Sequence, residues 1–165
     1  MNLIEPILIE LSREAVTTRK MLERVPEDQL AWKPHEKSMS LARLATHIAE
    51  IPGWVHGILD QDEFVIGASE YTPPTASSVT EILDMFDKNV AAVSEHLKGQ
   101  TNEHLMATWR VRKEDHVLVE MPRLGMIRTL LLSHIIHHRG QLSVYLRLHD
   151  VPLPPVYGPT ADEGF

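Results

Sequence analysis

Leu130-Leu-Leu-Ser-His-Ile-Ile-His-His-Arg-Gly-Gln-Leu-Ser-Val-Tyr-Leu-Arg147 is the stretch whose reading decides the fold. It is free of proline and apolar enough for a protein interior, yet it carries His134, His137 and His138, three of the ten histidines in the chain. At about 100° per residue, His138 falls roughly 40° from His134, and Ile127, Leu131, Leu142 and Tyr145 lie within about 80° on the same side. His134 and His138 therefore point where the core points. His137 sits about 60° to the other side, at the edge of that arc.

Two imidazoles one helical turn apart can turn their ring nitrogens toward one ion. A catalytic site of the zinc type adds a third protein ligand and keeps a position open for water or substrate. That ligand must come from another inward-facing helix, and His47 meets the condition: Leu44, Ile51, Trp54, Val55 and Ile58 lie within about 80° of it on a helix from Leu41 to Leu59. The competing reading is three buried histidines, each with its own hydrogen-bond partner.

The chain has 165 residues, 43% hydrophobic and 24% charged. This predicts a single domain over residues 1–165, large enough to bury about 70% of its unfolded surface. A net charge of −7 argues against a surface that tracks phosphates, so no nucleic-acid partner is expected. Without cysteine there are no disulfides, thiolate ligands or protein thiol nucleophiles, and any thiol in the chemistry arrives as a small molecule. The first residues show no basic leader with an apolar core, and no stretch approaches a membrane span, so a cytoplasmic protein with no membrane partner is expected.

Apolar positions at Leu3, Ile4, Ile7, Leu8, Leu11, Val16, Met21 and Leu22 predict a first amphipathic helix over residues 2–24. A short turn of helix follows at Val25–Leu30, then an irregular connection to Ser40, which can cap the second helix. Pro52 should kink or split that helix after His47. Residues 60–75 read as a loop that covers one end of the bundle. Ser78-Val-Thr-Glu81 is a capping box that starts a third helix, with Gly99 after its end. Thr101–Met106 suits one helical turn, and alternation over 108–111 and 116–120 predicts a β-hairpin lying against the helices. Pro122 then opens a fourth helix to about Leu148, followed by an extended proline-rich tail. The architecture expected is all-α, a four-helix bundle with a small hairpin between helices 3 and 4. Leu132 and Ile136, opposite the histidine face, suggest a homodimer contact.

Four pieces of this chain resemble the DinB/YfiT-like metalloenzyme superfamily over nearly its whole length: Trp32-Lys-Pro-His-Glu-Lys-Ser-Met-Ser-Leu41, Leu44-Ala-Thr-His-Ile-Ala-Glu50 with Trp54 beyond it, His134-Ile-Ile-His-His-Arg-Gly-Gln-Leu-Ser-Val-Tyr-Leu-Arg147, and the tail Val151-Pro-Leu-Pro-Pro-Val-Tyr-Gly-Pro159. The resemblance implies a four-helix bundle, commonly dimeric, in which His47, His134 and His138 hold a divalent metal. It also implies an activity class, because relatives include transferases and isomerases that use bacillithiol, mycothiol or glutathione. The function expected is a metal-dependent enzyme that activates a low-molecular-weight thiol toward a small electrophile; metal-assisted hydrolysis and a non-catalytic, metal-stabilised binding role are the alternatives. Imidazole donors suit Zn or Ni, with Fe, Mn and Cu left open.

Around that centre, Glu50 could orient a ligating imidazole or act as a base, but a glutamate on a helix flank reads first as solvated. His137 could replace a ligand or touch one from outside. Trp54 and Tyr145 could wall a pocket, although aromatic core packing accounts for both. Arg139 points about 140° from the ligand direction, which suits a salt bridge or a contact between helices. Arg110, Arg112 and Lys113 could supply a basic patch for a thiol's carboxylates. His35, His56, His96, His104, His116 and His149 read as surface or loop residues.

Overall fold

The computed structural model describes residues 2–68 and 70–164. Its helices are α1 (Ile4–Leu22), α2 (Leu41–Glu50), α3 (Val55–Asp60), α4 (Val79–Lys98), α5 (Asn102–Met106), α6 (Arg123–Ile127) and α7 (His134–Arg147). The strands are β1 (Glu63–Ile66), β2 (Thr108–Lys113) and β3 (His116–Pro122). α1 and α2 each pack on α4 and α7, which is the four-helix bundle expected.

The expected start signals act as capping groups. The hydroxyls of Ser40 and Ser78 accept from the backbone N–H groups of Arg43 and Glu81, each satisfying a donor that has no partner within the helix. The return half of the box at α4 is shifted by one residue: the Glu81 carboxylate accepts from the backbone N–H of Ser77, not of Ser78. Pro52 splits the second helix as expected, with a 3-10 segment, Ile51–Trp54, between α2 and α3.

Two expectations of continuity are corrected. The stretch read as a loop over 60–75 contains β1, which pairs parallel with β2 from Glu63↔Arg110 to Ile66↔Lys113, so the hairpin is part of a three-stranded sheet ordered β1-β2-β3. The fourth helix is not α throughout: Arg128–Ser133 is a π-helical segment between α6 and α7. Such segments widen the turn and change the angular register of everything upstream, and they recur at functional sites.

Buried apolar side chains form two clusters. One gathers Ile7, Leu11, Ile51, Val55, Leu97, Trp109, Leu131 and Ile135; the other gathers Leu22, Leu44, Ile48, Ala49, Phe86, Leu142 and Leu146. The change of membership falls between Ala49 at the end of α2 and Ile51 at the start of the 3-10 segment, and between Ile135 and Leu142 on α7. His47 and His138 lie close to these two boundaries, at the waist between the two cores. Trp109, 3% exposed, anchors the sheet to the first cluster, which answers the marginal stability of two strands alone. Leu132 is buried within the chain's own first cluster, so of the two residues read as a contact face only Ile136, half-buried, keeps part of its surface free. Among the described residues no helix is long and apolar enough to cross a membrane.

Candidate metal centre

His47 comes from the last turn of α2, and His134 and His138 from the first two turns of α7. Their ring centroids lie 5.1 Å apart for His47 and His134, 4.5 Å for His47 and His138, and 4.6 Å for His134 and His138. One ring nitrogen from each falls within 4.8 Å of the others, close enough for all three to share an ion.

Two of the rings are held from behind. Nδ1 of His47 lies 2.6 Å from Glu50 Oε1, and Nδ1 of His138 lies 2.7 Å from the Gln141 amide oxygen. A carboxylate and an amide oxygen only accept, so both Nδ1 atoms carry the proton and both Nε2 atoms keep a free lone pair. His134 differs: its buried Nδ1 makes no well-aligned hydrogen bond, and only the backbone of Leu130, one turn earlier, supports the ring. A ring so weakly held by the protein fits one placed to meet an ion.

At His134 and His138 the electrostatics favour the neutral imidazole, the form that ligates metals. Burial first, then the neighbouring charges of His138, His47 and His137, push the His134 pKa down to about 4. Burial lowers His138 as well, with His47, His137 and Arg43 acting in the same direction against the bond to Gln141.

Glu50 corrects the reading of a solvated flank residue. It is 7% exposed, and besides His47 it accepts from Arg43 Nη2 at 2.6 Å and from the Tyr71 hydroxyl at 2.8 Å. Burial raises its pKa, but the hydrogen bonds from His47, Arg43 and Tyr71 outweigh that and hold it below the ordinary carboxylate range. Partial burial and the bond to Glu50 push the Tyr71 phenol up to about 12, so it stays a donor.

Trp54 packs on the first apolar cluster and also stands against two of the rings, its centroid 5.2 Å from His47 and 5.4 Å from His134. His137 is exposed, edge-on to His138 at 4.8 Å, and outside the three-ring group. Tyr145 donates to the carbonyl of Met39 and meets Trp32 edge-on, in line with a packing role.

Arg139 does make a salt bridge between helices: it is buried and paired with Glu14 at 2.7 Å. The basic patch is corrected in part, since Arg110 pairs with Glu120 and Arg112 with Glu63 within the sheet. The cation at the rings is Arg43, which the sequence reading passed over. Its spacing was legible, one turn before His47, as was Gln141 three residues after His138. Tyr71 reaches Glu50 from a distant loop and left no such signal.

The DinB family profile matches residues 5–164. The chain belongs to the DinB family. A relative in Bacillus subtilis (strain 168), the uncharacterized protein YrdA, is 27% identical over 150 residues, covering 91% of this chain and 85% of its own. Among solved structures, a DinB-like protein of Bacillus cereus ATCC 10987 superposes with a TM-score of 0.69 at 26% identity, over 88% of this chain and 92% of its own. YjoA, a DinB-like protein of Bacillus subtilis, superposes with a TM-score of 0.68 at 20% identity, over 93% of this chain and 98% of its own, a likeness of fold.

Proposed function

We propose that this DinB-family chain holds one divalent metal ion on His47, His134 and His138 and serves as a transferase that joins a low-molecular-weight thiol to a small electrophile. The observation that carries the reading is the arrangement of the rings: two are locked in the tautomer that frees Nε2, and the third has a buried Nδ1 with no well-aligned hydrogen bond and a depressed pKa. The donor set fits the borderline ions, Zn or Ni first.

When bound, such an ion supplies a Lewis acid that brings a thiol to its thiolate, or water to hydroxide, near neutral pH. Three neutral imidazoles subtract nothing from its charge. Arg43 pairs with Glu50, which balances its charge, and keeps a second buried nitrogen, Nη1, without a partner beside the rings. The preference for an anionic ligand, as a thiolate is, would come from the ion's own charge. Trp54 stands against two of the rings and gives the centre an apolar neighbour. Because the chain has no cysteine, the thiol is a cosubstrate.

The deciding experiment is elemental analysis of protein purified without a histidine tag, beside His138→Ala, followed by turnover of an aryl halide with bacillithiol, mycothiol and glutathione. The expected result is about one ion per chain at this centre, lost in the variant, and metal-dependent thioether formation. Equal metal in both proteins overturns the site. Metal-dependent ester hydrolysis without thiol transfer would replace the transferase with a hydrolase.

The same reading takes a homodimer as the assembly and the thiol-rich cytoplasm as the setting. The exposed apolar residues Val144 and Leu148 supply a contact surface. Light scattering on the wild type and Val144→Glu checks it: a dimer is expected to become a monomer, and a monomeric wild type would remove it.

A further inference from the structure

His56 and His96, read from the sequence as surface residues, form a second constellation on elements that carry none of the first. His56 lies in the first turn of α3 and His96 in the last turn of α4. Asp60 stands one helical turn after His56 and is 57% exposed, while His96 is 25% exposed. The Asp60 carboxylate lies 3.0 Å from His96 Nε2. Nδ1 of His96 lies 2.6 Å from Nδ1 of His56.

The Asp60 carboxylate meets His96 Nε2 as an ion-pair contact, not an aligned hydrogen bond; its charge favours the proton on Nε2, which leaves Nδ1 of His96 with a lone pair. That lone pair faces His56 Nδ1 at a separation shorter than the usual 2.7–3.2 Å or so of a nitrogen donor. The contact holds only if a proton or another cation lies between the two nitrogens. When His56 carries its proton on Nε2 instead, both Nδ1 lone pairs turn toward one point, with the carboxylate beside one ring. Two nitrogens about 2.0–2.1 Å from an ion at a tetrahedral angle stand about 3.3 Å apart, so the rings separate by several tenths of an ångström when an ion replaces the proton. Carboxylate, histidine and cation in that order make the support pattern of metal centres.

The backbone beneath His56 is held in place. Arg123 donates from Nε to the carbonyl of Ile58 at 3.0 Å and from Nη2 to the carbonyl of Gln61 at 3.1 Å, and His104 Nε2 meets the carbonyl of Leu59 at 2.9 Å. The last turn of α3 is thus fixed before any ion arrives.

We infer that His56 and His96 bind a second borderline divalent cation through their Nδ1 atoms at the junction of α3 and α4, with Asp60 orienting His96. Imidazole pairs select zinc, nickel or copper over magnesium or calcium, which take oxygen. The exposed side leaves room for water to complete the shell, so the ion exchanges readily. Its effect is to tie α3 to the C-terminal turn of α4.

The test is zinc titration of tag-free, chelator-stripped protein against a competing indicator. The wild type is expected to take up two equivalents; His96→Ala or His56→Ala one; His138→Ala one; and His138→Ala combined with His96→Ala none. Asp60→Asn should weaken the second equivalent by about 10- to 100-fold, as loss of an outer carboxylate does. His96→Gln, with a polar side chain of similar reach, guards against misfolding, and circular dichroism in chelator should match the wild type. Zinc uptake by His56→Ala and His96→Gln equal to the wild type in number and affinity overturns the inference. A wild type that takes one equivalent, abolished by His138→Ala alone, also overturns it. If the three-histidine reading fails instead, His138→Ala keeps every equivalent the wild type has, while His96→Ala still loses one.

Discussion

Glu50 holds His47 from behind: Oε1 of the carboxylate lies 2.6 Å from Nδ1 of the ring, three residues earlier on the same helix. The carboxylate is buried and bound at the same time to Arg43 and Tyr71, so its position is determined by three donors from two parts of the chain. Glu50→Gln keeps the shape but loses the charge that favours Nδ1–H. Metal affinity is expected to fall about 10- to 100-fold, measured by chelator competition, with circular dichroism unchanged. An affinity equal to the wild type would remove Glu50 from the site.

Gln141 does for His138 what Glu50 does for His47, with a neutral oxygen. Gln141→Ala should therefore weaken metal binding less than Glu50→Gln does. Gln141→Glu should restore or strengthen it, because a carboxylate is the better acceptor. A Gln141→Glu variant weaker than Gln141→Ala would show that the amide oxygen is not orienting the ring.

Acid should destabilise the metal-free chain over a defined range. Folded His134 has its pKa pushed down to about 4, against an ordinary value of 6.5. Between those values the unfolded chain binds more protons than the folded one, so stability is complete above pH 6.5 and falls as pH drops toward 4. Burial lowers His138 in the same direction. Melting temperatures in chelator should stay level above that range and decline through it, and His134→Gln should decline less. A melting temperature that rises on acidification across the range would contradict the shift.

The buried pair of Arg139 and Glu14 joins α7 to α1, with Tyr157 from the tail donating to the same glutamate. Arg139→Ala leaves Glu14 buried without its cation and should cost about 3–5 kcal/mol in urea unfolding. Replacing both partners by methionine should cost much less and leave the urea midpoint nearly unchanged, because a well-packed apolar pair can replace a buried ion pair. Equal losses in the single and double variants would assign the effect to packing.

Much of the helical scaffold was legible because its signals are local. Ser40 and Ser78 cap where side-chain chemistry says they should, and Pro52 breaks its helix for want of an N–H. The inward aim of His134 and His138 follows from helical spacing alone. β1 was missed because Glu-Phe-Val-Ile is short and lies between glycine, proline and acidic residues; it becomes a strand only when β2 arrives beside it from more than forty residues away. The π segment at Arg128–Ser133 was missed because its residues suit an α-helix equally well.

The pattern of apolar and capping residues along this chain was enough to determine four helical regions, the faces they bury and the three histidines that share those faces, since all of these depend on neighbours within one turn. The partners of those histidines were decided elsewhere. That Glu50 takes a third donor depends on the loop that brings Tyr71 to it, and that His56 meets His96 depends on where α3 lands on α4. Hydrogen bonds act over about 3 Å, and only the packing of separate elements brings groups forty residues apart to that distance.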